Sequence, residues 1–139
     1  MGIGRSIAVV VVGVLMMNFI DQILGSALLQ AVAGGTITDQ ASYLAVFDRP
    51  LVPAVVVVTH GLAALLSGYV MGKLAGGREL QHAAAAAGLA VIAFLAAPAA
   101  PNMMMPPMWV RVAMIAITPP GMLAGAYVRG QARIAREQS

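Results

Sequence analysis

The chain contains no cysteine. That excludes disulfides, thiolate metal sites, a cysteine nucleophile and a lipoprotein anchor, and it leaves the redox compartment open. Charge is also scarce. Only 9% of the 139 residues are Asp, Glu, Lys or Arg, against 60% hydrophobic. A soluble domain carries about 25% charged residues. With so few, lipid has to be the solvent for much of the surface, and the length suits one domain. Aromatic residues are few, and the basic residues are scattered near helix ends rather than interleaved with aromatics. Nucleic acid is therefore not an expected partner. The chemical motifs are missing too: no serine on a strained turn, no metal-ligand spacing and no phosphate loop. Ser6, Ser26, Ser42 and Ser67 read as ordinary helix or loop residues, and His82 as an interfacial one. The expectation is a chain that is not an enzyme.

What is present is apolar length. A spanning helix needs about 20 mostly apolar residues. Four segments qualify: Ile7 to Leu29, Leu51 to Ala75, His82 to Ala97 extending toward Ala100, and Met108 to Val128. Proline and glycine punctuate them. Pro50 and Pro53 fall in the first turn of the second span, where a missing N–H costs little. Gly76-Gly77 ends that span, Pro98 and Pro101 stop the third, and Pro106-Pro107 precede the fourth. The third span is short and alanine-rich, and a re-entrant segment is the alternative for it. Arg5 ahead of the first apolar run, with Ala31-Val32-Ala33 after it, resembles a signal peptide. The run is too long for one and carries Asn18, Asp21 and Gln22, so it reads as a retained helix.

Orientation follows from the basic residues. Arg5, Lys73, Arg78, Arg129, Arg133 and Arg136 fall on one side of a four-span chain, and only Arg49 and Arg111 on the other. The expected fold is an all-α bundle of four transmembrane helices in a single domain over residues 1–139, with both termini in the cytoplasm. Trp109 and Tyr43 can anchor the outer interface. In the first outer loop, Thr38 is expected to cap a short helix through Phe47. Tyr43, Leu44, Val46 and Phe47 form its apolar side, and it is read as lying on the membrane surface. A lid or a docking element is the alternative.

Small residues mark the packing faces. Gly68, Gly72 and Gly76 recur at spacings of four, as do Gly121 and Gly125, and the third span offers alanine with Gly88. In lipid such residues let backbones approach, and dispersion and weak hydrogen bonds then hold the pair. These faces suit packing within the bundle, self-association or docking on a larger membrane complex. The stretch Ser67-Gly68-Tyr69-Val70-Met71-Gly72-Lys73-Leu74-Ala75, followed by a Gly/Arg turn and His82-Ala83, resembles a broad set of uncharacterised bacterial four-helix integral membrane proteins of similar length. They often carry a Gly-Gly-Tyr-Val-Ala-like stretch late in the second helix. The resemblance covers the architecture and this local pattern. It implies a bacterial cytoplasmic (inner) membrane and no activity. Small multidrug transporters place a glutamate in the first helix, whereas Asp21 stands here in a different context.

The intramembrane polar residues carry the functional expectations. Asn18, Asp21, Gln22 and Gly25 share one helix face. An aspartate at the centre of a span costs about 2.5–3.5 kcal/mol on insertion scales, so it needs protein or water around it. His60 and Asp21 lie at similar depth, and Arg111 about a turn nearer the outer surface. Pro119 and Pro120 are expected to break the fourth helix by leaving the carbonyls of Ile115 and Ala116 without donors, with Thr118 filling part of the gap. Asn18, Asp21, Gln22, His60 and Arg111 can satisfy one another structurally, or form a proton- or ion-binding site beside the broken helix. His60 can also be read as a ligand to haem, a chlorophyll-type pigment or copper. For copper the thioethers of Met103, Met104, Met105 and Met108 are the candidate partners. Methionine is equally a flexible filler of apolar gaps. The leading expectation is a small accessory or structural membrane protein that assembles through its glycine faces and takes no cofactor. The alternative is a small proton- or cation-linked transporter or channel using Asp21 and His60.

Overall fold

The computed structural model describes residues 2–97 and 104–138. Among the described residues the chain is all-helical, with α1 (Ile3–Ala33), α2 (Gln40–Val46), α3 (Val52–Ala75), α4 (Glu79–Ala96) and α5 (Met108–Glu137). Four of these, α1, α3, α4 and α5, are long and apolar enough to cross a membrane.

The helix ends follow local chemistry. α1 runs a turn beyond the expected bounds at each end, because nothing after Gly2 breaks it and Gly34 stops it. Gly34 has φ +76°, and its N–H bonds the Gln30 carbonyl. At 1.5 Å per residue this 31-residue helix is about 46 Å long, more than the roughly 30 Å of a bilayer's hydrocarbon core. α3 opens with Pro53 in its first turn and closes at Gly76, which has φ +59°. Gly76 is thus a left-handed helix cap and not a packing residue, and an added methyl there would meet nothing within 4 Å.

α4 begins at Glu79, earlier than expected, because Glu79 suits the positive end of the helix and accepts a hydrogen bond from Arg133 Nε at 2.9 Å. Pro98 to Met103, and with them the expected extension to Ala100, lie outside the described residues. α5 differs from expectation twice. It continues beyond Val128 to Glu137, where Arg133 bridges Glu79 and Glu137. It also runs unbroken through Pro119 and Pro120. Proline's fixed φ is itself helical, and the pair deletes only two N–H donors. Thr118 stiffens the same turn by donating its hydroxyl to the Met114 carbonyl at 2.8 Å. The helix break is thereby corrected to a continuous helix with two unbonded ladder positions.

α3 is central and touches α1, α4 and α5. It pairs most closely with α5, and paired residues rise together along both chains: Gly61 faces Ile117, Ala64 faces Gly121, and Gly72 faces Ala126 and Arg129. The two helices are therefore parallel, with α4 returning between them. A methyl on Gly68 would fall on the Met122 carbonyl oxygen, and one on Gly125 on the Leu65 carbonyl oxygen. Each helix thus presses a carbonyl against the other's glycine, the approach that permits Cα–H···O contacts. Gly68, Gly72, Gly121 and Gly125 thus pack α3 against α5 within the chain. α4 contributes Ala83, Ala86, Ala87 and Ala90, buried at helical spacing. Gly88 is off that face and exposed.

Two apolar clusters fill the bundle. One, toward the termini, centres on Met17, Met71, Met122 and the α4 alanines. The other, toward α2, contains Leu29, Val46, Phe47, Val56, Val110 and Met114. α2 is capped by Asp39, whose carboxylate accepts from the Ser42 N–H at 2.8 Å; the cap is Asp39 rather than the expected Thr38. That N–H holds the Asp39 carboxyl below the usual range. Val46 and Phe47 turn into the bundle, and Gln40 exchanges two hydrogen bonds with the Met105 backbone, at 2.8 and 3.0 Å. α2 is accordingly a plug on the end of the bundle, and of its expected apolar side only Leu44 is exposed.

Gly68→Ala and Gly125→Ala should each lower stability by about 1–3 kcal/mol or more, since backbone has to move. Gly88→Ala should be neutral or stabilising. Thermal unfolding in detergent, followed by circular dichroism, separates the two classes.

Candidate functional site

Between the two apolar clusters all four long helices converge on His60. Its ring is fully buried. Nε2 lies 2.9 Å from Thr118 Oγ on α5, and Nδ1 lies 3.1 Å from Asp21 Oδ1 on α1. Phe94 of α4 meets the ring edge-on, with centroids 5.1 Å apart. The Thr118 hydroxyl already donates to Met114, so it accepts from His60, and Nε2 carries a proton. Nδ1 is the nitrogen that faces Asp21. It makes no aligned hydrogen bond, although Asp21 is within ion-pair distance. With no proton between them, the lone pairs of Nδ1 and Oδ1 face each other. A proton shared between the two atoms would remove that repulsion.

Asp21 is only partly buried and also lines a cavity of about 720 Å³ in the α2 half of the bundle. α1 supplies Asn18, Gln22, Ser26 and Gln30 to its wall, α3 supplies Thr59, and α5 supplies Arg111. Phe94, Leu29, Val56 and Met114 make apolar wall, and Tyr43 of α2 reaches it from the lid. Burial raises the Tyr43 pKa above that of a free phenol, and the negative charge of Asp21 raises it further.

The polar residues singled out in the sequence have different fates. Asp21 and His60 meet. Asn18 donates into its own helix, to the Val14 carbonyl at 2.9 Å, and Gln22 is exposed to the cavity. Arg111 does not join them: its side chain makes no ion pair or hydrogen bond among the described residues, and it lies on the cavity wall from the first turn of α5. His60 is absent from the cavity wall, and both its nitrogens face protein groups. Met104 and Met105 line the cavity, Met108 is exposed, and Met103 lies outside the described residues. A metal or pigment at His60 would have to displace Asp21 or Thr118.

Three contributors escaped the sequence reading. Thr118 was seen only as a filler for the proline gap, and Phe94 not at all. Ser67, taken as ordinary, is fully buried and donates across helices to the Gly13 carbonyl at 2.5 Å. Its position seven residues after His60 places both on one helix face, and that spacing is the signal that could have found it. Comparison with known protein families, curated proteins and solved structures finds no match.

Thr118→Val leaves the buried Nε2 donor without an acceptor and should cost about 1–3 kcal/mol. Thr118→Ser should restore most of it. Unfolding of the two variants in the same detergent makes the comparison.

Proposed function

We propose that this chain is a small integral membrane protein of the bacterial cytoplasmic membrane that moves a small solute together with protons. The observation that supports this is the Asp21–His60 contact of 3.1 Å, with its carboxylate on the wall of a cavity lined by the four spans. An ionisable pair inside a span carries a cost in insertion energy and is for that reason a functional-site hypothesis by default. The volume falls within the roughly 300–1,000 Å³ of small-molecule sites.

The parts divide the work simply. Asp21 and His60 hold and release one proton. The wall of the cavity binds solute. α2, held by Val46, Phe47 and the Gln40–Met105 bonds, is the gate on one side. Met17, Met71 and Met122, with the Ser67–Gly13 bond, close the other. In this reading Arg5, Lys73, Arg78, Arg129, Arg133 and Arg136 face the cytoplasm, as the bias of basic residues requires, and α2 faces outward. An accessory role, assembled through small-residue faces, is the alternative reading; the glycines of α3 and α5 that suggested it pack against each other within the chain.

Because the chain has no cysteine, single cysteines at positions 48 and 78 report orientation directly. An impermeant maleimide added to intact cells should label position 48 and spare position 78; the reverse pattern inverts the topology. For function, proteoliposomes with an entrapped pH dye should show proton movement driven by gradients drawn from a panel of organic acids, amines and alkali cations. Asp21→Asn should reduce that movement at least tenfold, an assumed loss of about 1.4 kcal/mol in the transport barrier. A panel in which no solute moves protons above empty vesicles removes the reading.

A further inference from the structure

The charges around the cavity depend on one proton. α1 contributes Asp21, α2 the phenol of Tyr43, α3 His60 and α5 Arg111. The ionisable groups of α4, Glu79 and His82, stand at the far end of the bundle. Tyr43 is neutral, because burial raises its pKa. Asp21 and His60 act as one unit: neutral with a shared proton, −1 without it. Arg111 keeps its charge at any accessible pH. The cavity therefore carries +1 when the pair is protonated and no net charge when it is not.

An arginine whose side chain has no partner among the described residues, on the wall of a largely apolar cavity, is short of an anion. Its planar fork fits a carboxylate through two parallel hydrogen bonds. The space below it, between Leu29, Val56, Phe94 and Met114, takes a carbon chain and is far larger than a halide needs. Resting on the transport reading above, we infer that the cavity binds an organic monocarboxylate at Arg111, and that the proton on the Asp21–His60 pair is bound with it. No bond is made or broken: one anion and one proton enter, and the cavity's surplus positive charge is neutralised. By linkage, whatever factor the proton adds to carboxylate affinity, the carboxylate adds to proton affinity.

The test is calorimetric titration of the full chain in a non-ionic detergent with butyrate and hexanoate. Butylammonium serves as the cation of similar shape, and empty micelles as the blank. Titrations at about pH 5.5 and about pH 7.5 bracket histidine's range. The carboxylates should bind, with affinity falling by up to about tenfold per pH unit as the pair gives up its proton. Buffers of different ionisation enthalpy should report uptake of up to about one proton per anion. Arg111→Gln should lose at least about tenfold in affinity, and Arg111→Lys should keep part of it. Asp21→Asn should still bind but lose most of the pH dependence, since the compensating negative charge is gone. A merely structural Asp21 predicts no such split.

Preference for butylammonium, an Arg111→Gln variant that binds as well as the parent, or binding indifferent to pH would each overturn the inference. Failure of the two readings is distinguishable. Proton-linked butyrate binding by a chain that moves nothing across vesicles supports the inference and removes transport. Cation-driven proton flux in a chain that does not bind butyrate does the reverse.

Discussion

Two carbonyl oxygens, those of Leu65 and Met122, rest where the β-carbons of Gly125 and Gly68 would be. Everything else in the bundle is placed by that approach. It holds α3 and α5 in parallel with their residues in step, and so sets Thr118 opposite His60. It brings the N–H-depleted stretch around Pro119 and Pro120 against a neighbouring helix, with Gly121 beside Ala64 and Gly61. Lipid offers helices little hydrophobic reason to associate. Close contact between backbones supplies the attraction, and only glycine allows it at those two positions.

The polar groups then follow a hierarchy of satisfaction. Ser67 and Thr118 each find a backbone carbonyl, and His60 finds Thr118 and Asp21. At the termini end Glu79, Arg133 and Glu137 form a chain of ion pairs. Arg49 donates to the Val32 carbonyl at 2.5 Å at the other end. Arg111 has no side-chain partner among the described residues, as is also true of several cations near the termini end, but Arg111 lies on the cavity wall. A cation on a cavity wall distinguishes that cavity from the ordinary gaps of a helical bundle.

Much of this was legible in the residues because the relevant rules are one-dimensional. Length and hydropathy located the four long helices, and depth along a helix put Asp21 level with His60. What a count along the chain does not fix is rotation about each helix axis. That is why Thr118 and Phe94 could not be assigned to His60, and why Arg111 was grouped with residues it does not touch. Gly76 was misplaced because its spacing matches Gly72 and Gly68, while its φ of +59° belongs to a helix end. The proline pair was over-read for a related reason. Missing donors were counted, but the packing that carries a helix past them is a property of the neighbour. For α2, Thr38 and Asp39 are both good caps, and only the position of the Ser42 N–H decides between them.

The parallel pairing of α3 with α5 bears on how the chain is made. A ribosome delivers α3 first, then the whole of α4, and only then α5. Until the last span emerges, α3 has its glycine face uncovered and His60 lacks the hydroxyl that fixes its tautomer. The nascent three-helix intermediate is thus the form most exposed to unwanted association in the bilayer. The emergence of α5, rather than any earlier step, is when this bundle acquires its interior.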